Sequence, residues 1–143
     1  MLKLVFLTEA FRRKHSAHTE IEQKEDRPYA RVQINVNGVV WALPLRSNIN
    51  HPYAIWTDKA NKCGIDLSKA VVIEDPTVEL DHIRTPYLRD SEFRVFKTFS
   101  EYEVVKKFHQ YIRAYKKAKE NSKVPRNKML LNCSTLQYFE QYI

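Results

Sequence analysis

Glycine is scarce in this sequence, which has 143 residues and only Gly38 and Gly64 of that type. A turn that cradles phosphate with backbone N–H groups needs several glycines close together, so a Walker loop and a dinucleotide fingerprint are both excluded. Cysteine is equally sparse. Cys63 and Cys133 stand far apart, which rules out a disulfide framework and reads as two buried, inert thiols in a reducing compartment. Long hydrophobic runs are missing too. The apolar stretch Met1 to Leu7 is followed at once by Glu9, Arg12, Arg13 and Lys14, too soon for a signal peptide or a membrane span. The expectation is a cytoplasmic protein with no membrane partner. The six prolines are scattered, and no repeat or low-complexity spacer divides the chain, so residues 1–143 are read as a single domain. Two small clusters, His15 and His18 with Glu20, and Glu79 and Asp81 with His82, match no recognised ligand spacing. No metal and no other cofactor is expected.

What the sequence does have is apolar bulk and clustered positive charge. With 43% hydrophobic and 12% aromatic residues it can bury a core of useful size. The net charge is +7, and one stretch exceeds that figure alone. Between residues 106 and 128 lie Lys106, Lys107, Arg113, Lys116, Lys117, Lys119, Lys123, Arg126 and Lys128, against the single acid Glu120. Such a face suits a polyphosphate partner, because each neutralised phosphate releases condensed counterions. Lys106, Arg113, Lys116, Lys117, Lys119, Lys123, Arg126 and Lys128 are therefore the candidate RNA-binding residues, with Asn48 and Lys59 from the hairpin region. A basic helix that simply faces solvent is the bland alternative.

The pattern of apolar residues predicts strands first and helices later. Leu2 to Leu7 reads as a strand, followed by a short helical turn over Thr8 to His15 and a polar loop from Ser16 to Arg27. Tyr29 to Val36 and Val39 to Leu45 alternate around Asn37-Gly38, the strongest short hairpin signal, since both central positions of a type I′ turn need positive φ. Tyr53 to Trp56 and Ile65 to Ile73 read as two further strands. Beyond Asp75-Pro76, the residues Phe93, Phe96, Phe99, Tyr102, Val105, Phe108, Ile112 and Tyr115 recur at helical spacing and are read as core. Ser100 with Glu103 makes a capping box that starts the longer helix near residue 100, and that helix should run to about Glu120. Met129 to Cys133 reads as a last strand, and Ser134 with Gln137 as the cap of a short terminal helix. The predicted class is α+β with a strongly bent, mostly antiparallel sheet.

The loop after the hairpin carries the chemistry. Arg46, Ser47, Asn48, Asn50 and His51 sit where a strand ends, and Arg27 and Tyr29 open its partner strand. Antiparallel pairing about Asn37-Gly38 brings those two groups together. They include what metal-free RNA cleavage requires: proton-transfer groups for the 2′-hydroxyl and the leaving 5′-oxygen, and cations for the charge on the phosphorane. His51 suits proton transfer, and Arg46 and Arg27 suit phosphate oxygens. A polar loop without catalytic duty is the alternative.

At these residues the chain resembles the toxins of type III toxin-antitoxin systems, the ToxN and AbiQ family with its TenpN branch. The resemblance runs from Asn37-Gly38 through Trp41-Ala42-Leu43-Pro44-Leu45-Arg46-Ser47 to His51. It recurs from Gly64 to Ile73 and at Cys133-Ser134-Thr135-Leu136-Gln137-Tyr138-Phe139. It implies a bent sheet of the Kid and MazF barrel kind wrapped by helices, and a metal-independent endoribonuclease that leaves 2′,3′-cyclic phosphate. It also implies an RNA antitoxin of tandem repeats that folds into pseudoknots, occupies the active groove and joins the toxin in a protein–RNA hetero-oligomer, often in defence against phage. By position Ser47 is similar to the family's active-site serine, and Arg46 stands where the family often has threonine. Arg27 and Tyr29 lie near its basic and tyrosine positions. A lysine normally follows the serine, but here the place is held by Ile49, which leaves the cation or proton donor to His51 or Arg46. Two functions follow for test: an RNA-cleaving toxin restrained by RNA, or a non-catalytic RNA-binding module.

Overall fold

A computed structural model of the chain describes residues 2–21, 30–83, 90, 93 and 97–143. The fold is built around strand β3, Val39–Arg46, which is buried from Trp41 to Leu45. Asn37 at φ 52° and Gly38 at φ 84° make the tight turn the sequence called for. This turn sets β2, Arg31–Val36, antiparallel to β3 with Ile34 opposite Trp41 and Val32 opposite Leu43. Strand β1, Lys3–Val5, adds to β2 on its other edge. Strands β4 (Ala54–Asp58), β5 (Cys63–Asp66) and β6 (Val71–Ile73) complete a six-stranded antiparallel sheet in the order β1-β2-β3-β5-β4, with β6 also on β3. The predicted α+β class and antiparallel sheet are therefore found. Among the described residues β1 and β4 do not pair with each other, so the sheet is open.

The single strand expected over Ile65 to Ile73 is broken. Leu45 pairs with Ile65, but Ala42 pairs with Val71 where an unbroken register would place Ser68. Three residues are thus looped out, and Leu67–Lys69 form a 3-10 turn. The cause is Asp66, whose side chain accepts the Ser68 N–H at 3.0 Å and offers the backbone a turn in place of the ladder. Where β4 and β5 pair, a Cβ on Gly64 would press into the Ile55 carbonyl oxygen. The second glycine therefore permits close backbone approach one strand from the site.

Four α-helices lie among the described residues: α1 (Glu9–Lys14), α2 (Pro76–Glu79), α3 (Glu101–Glu120) and α4 (Pro125–Cys133). The Ser100 hydroxyl accepts the Glu103 N–H at 3.3 Å and starts α3 where the capping pattern put it. Val104, Phe108, Tyr111, Ile112, Tyr115 and Ala118 form its buried face, and Phe108 meets Trp41 edge-on at 4.9 Å between ring centres. Burying rings of this size is the main apolar contribution to the core. The aromatic stripe is not all core, however. Tyr102, off the buried line of α3, is 75% exposed, and Phe93 is about half exposed. Phe96 lies outside the described residues.

Met129 to Cys133 is helix, not strand. Pro125 sits at the first helical turn with φ preset for it, and a three-residue apolar run is too short to separate strand from helix by period. Ser134 caps the 3-10 turn Thr135–Tyr138 by accepting the Leu136 N–H at 3.2 Å. Its Phe139 packs against Trp41 and His15. The cysteines are not the buried pair expected: Cys133 is exposed at the end of α4 and Cys63 is half-buried in the edge hairpin, each with a free thiol. Among the described residues no helix is long and apolar enough to cross a membrane.

Candidate functional site

Three lines of chain meet at the broken strand: the end of β3, the loop leading into β4, and the turn from β5 to β6. Their meeting point is the Asp66 carboxylate, which is fully buried. Its Oδ2 accepts the Arg46 guanidinium at 2.8 Å. Its Oδ1 accepts the Ser68 hydroxyl at 2.6 Å and lies 3.2 Å from His51 Nε2. Burial pushes the Asp66 carboxyl up, but hydrogen bonds from His51 and Ser68, with the charges of His51 and Arg46, outweigh it and hold the group below its ordinary value. At neutral pH the site is therefore built on an anion in the protein interior.

The histidine is held from both sides. Tyr53 donates its backbone N–H to His51 Nδ1 at 3.0 Å, so in the neutral ring the proton sits on Nε2, facing Asp66 Oδ1 and the Ser68 hydroxyl at 3.1 Å. The Tyr53 carbonyl in turn accepts the Leu67 N–H at 3.0 Å. One residue thus fixes both the ring and the turn that carries Asp66 and Ser68.

Arg46 is held at one end only. A guanidinium has five donors in a planar fork, and its one bond among the described residues goes to Asp66. Its side chain remains 29% exposed. Ser47 follows it, half-buried and with no hydrogen bond among the described residues. Asn48 is exposed and takes a left-handed φ of 57°. Ile49, which the resemblance marked as a missing lysine, is buried, only 3% exposed, and anchors the loop through its N–H to the Lys62 carbonyl at 3.1 Å. An ammonium reaches the loop from outside it: Lys62, in the turn between β4 and β5, places its Nζ 3.0 Å from Asn50 Oδ1.

The structure therefore brings Arg46, Ser47 and His51 into one neighbourhood. Arg27 and Tyr29 lie outside the described residues; the last described step of that strand pair is the Leu45 N–H to the Ala30 carbonyl at 3.0 Å. Sequence reasoning missed Asp66, Ser68 and Lys62. The spacing Asp66-x-Ser68 was a usable sign of a turn; nothing in the sequence linked either residue to Arg46.

Around this point the candidate basic residues divide. Lys106, Arg113 and Lys117 recur on the outward line of α3, and Lys116 is exposed beside them. Lys119 is not free, because its ammonium pairs with Glu140. Lys123, Arg126 and Lys128 are exposed around the start of α4, and Lys59 in the β4–β5 turn. Lys107, not among the predicted binding residues, lines a cleft of about 270 Å³ with Pro52, Tyr53, Leu67, Gln110 and Tyr111. Burial pushes the Tyr111 hydroxyl above its ordinary value, and that hydroxyl bonds the Ser134 hydroxyl at 2.6 Å, so this wall of the cleft is neutral and fixed.

The other titratable clusters are separate. His15 and His18 face each other with Nδ1 atoms 3.0 Å apart, while Glu20 turns away to Lys69 at 2.8 Å. Glu79 is buried at the end of α2, and His82 Nε2 lies 3.1 Å from the Pro76 carbonyl. Among the described residues no group of three or more histidine, cysteine or acidic side chains is arranged to hold a metal ion. No family model, curated protein or solved structure matches this chain.

Proposed function

We propose that this protein is a metal-independent endoribonuclease, the toxin of a type III toxin-antitoxin system, restrained by a repeat-derived RNA that it binds directly. The observation that carries the reading is Arg46: Asp66 fixes one end of its guanidinium at 2.8 Å, and among the described residues neither its other donors nor the hydroxyl of Ser47, the next residue along the chain, has a partner. A preset fork of this kind suits the non-bridging oxygens of a phosphodiester, and a fixed donor is worth most where charge develops. In the reaction the 2′-oxygen bonds to phosphorus as the bond to the 5′-oxygen breaks. The 2′-hydroxyl gives up a proton, and the leaving oxygen gains one. Arg46 holds the phosphorane charge, Ser47 touches the phosphate, and Lys62 supplies the second cation that the loop itself lacks. Arg27 is the further candidate for the phosphate oxygens, and Tyr29 is the remaining candidate for proton transfer.

His51 takes a different part from the one its type suggests. Both its ring nitrogens are engaged within the protein, so it acts on Arg46 through Asp66 as a positioning residue. On this reading the bent sheet is of the Kid and MazF barrel kind, the protein works in the cytoplasm in defence against phage, and the exposed lysines of α3 hold the RNA antitoxin in a protein–RNA assembly. The same engagement of His51 favours one second reading, a non-catalytic RNA-binding module. Expression in bacterial cells separates them. Wild type should arrest growth and Ser47→Ala should not, while the purified Ser47→Ala protein keeps its RNA affinity; growth arrest by both, or by neither, contradicts the cleavage role of Ser47.

A further inference from the structure

Next along the chain from His51 lies the cleft between residues 52–54 and α3. We infer that it is the subsite for one unpaired nucleotide of the RNA, with the base against Tyr53 and the flanking phosphate at Lys107. The inference rests on the RNA reading above and adds to it a preference for single strands.

Four observations point to that occupant. The cleft has a volume of about 270 Å³ and is lined by Tyr53, Leu67, Tyr111 and Gln110, with Lys107 as the only charged group among the described residues. Among the described residues no carboxylate lines it to repel a phosphate, and Lys107 lies about a quarter-turn round the same helix from the outward positive line of Lys106, Arg113 and Lys117. Tyr53 and Tyr111 stand 5.4 Å apart at 57°. The former is partly exposed and the latter is buried, so Tyr53 is the ring of the pair that a base can reach from solvent; the His51 ring lies 5.8 Å from it at 30°. Gln110 is exposed at the rim and its side-chain amide has no hydrogen bond among the described residues, which leaves it able to pair with a base edge.

Distance from the phosphate site is fixed by the backbone. The Tyr53 N–H is bonded to His51 and the Tyr53 carbonyl to Leu67, and His51 touches the carboxylate that holds Arg46. Cleft and guanidinium are therefore parts of one rigid unit. A base stacked in a duplex cannot reach an aromatic face in this way, whereas an unstacked base can.

The test is the affinity of the whole protein for a mixed-sequence 12-nucleotide single-stranded RNA and for the same sequence as a duplex, by fluorescence anisotropy. Three proteins are compared: wild type, Tyr53→Leu, which keeps the apolar packing but loses the ring, and Gln110→Ala, an exposed change that spares the fold. Loss of one base–aromatic stack should weaken single-strand binding about tenfold in Tyr53→Leu, with a smaller loss in Gln110→Ala and no change for the duplex in either. If wild type binds RNA and both variants bind the single strand equally well, the subsite is wrong and the RNA reading stands. Equal losses for single strand and duplex also overturn it. If wild type binds neither RNA, both the subsite and the RNA reading fall.

Discussion

The Asp66 carboxylate, fully buried, holds the Arg46 guanidinium at 2.8 Å from the last residue of the neighbouring strand, where the sheet breaks. This pair ties the strand that carries the candidate phosphate-binding group to the turn that interrupts its neighbour. Ser47 follows Arg46 and has no side-chain partner among the described residues. Ser47→Ala should therefore leave stability within about 0.5 kcal/mol of wild type and lower RNA cleavage by about a hundredfold. Chemical denaturation and a cleavage assay on the same preparation check both halves.

Asp66→Asn should act in the reverse order, on stability first. It removes the anion that holds Arg46 and His51, and hydrogen bonds to charged groups contribute about 1.5–3 kcal/mol. The Asp66 carboxyl is held below its ordinary value in the folded protein, so its contribution is fully present above the unfolded aspartate value and disappears as pH falls through the folded one. The stability gap between wild type and Asp66→Asn should thus be widest near neutral pH and close at the acid end. Urea denaturation across the acid range checks it; a gap that widens on acidification contradicts the assignment.

His15 should give the protein a second, independent pH dependence. Burial, with the nearby charges of His18 and Lys14, pushes His15 down to about 4 from 6.5. Between those values the unfolded chain binds a proton that the folded one does not, so stability rises with pH there. The span amounts to roughly 3 kcal/mol. His15→Leu should flatten the stability profile between pH 6.5 and pH 4, and an unchanged slope in that variant contradicts the account.

The lysines of α3 should not be equivalent. Lys117 is exposed and Lys119 pairs with Glu140. Loss of one phosphate contact lowers the slope of log affinity against log salt by about 0.7–0.9. Lys117→Gln should show that drop and Lys119→Gln a smaller one, in RNA binding titrated at several salt concentrations.

Much of this frame was legible locally. Asn37-Gly38 announced the hairpin, and Ser100 with Glu103 announced the start of the long helix, because a turn or a cap is chemistry between near neighbours. Met129 to Cys133 failed for the same reason in reverse: a short apolar run has no readable period, and Pro125 was the better signal. The loop from Arg46 to His51 was found by composition, but its organising residue was not. Asp66 read as part of a strand, since its partners Arg46 and His51 come from segments that only the folded sheet brings near. Lys62 was missed likewise, its ammonium reaching the loop across the β4–β5 hairpin.

The most direct test of the central claim is to incubate the purified protein with a mixed-sequence RNA in excess EDTA and to map the new ends. Discrete cuts that leave 2′,3′-cyclic phosphates, lost in Arg46→Ala and Ser47→Ala, are the expected result. RNA that is bound but stays intact would contradict it and leave a binding module in its place.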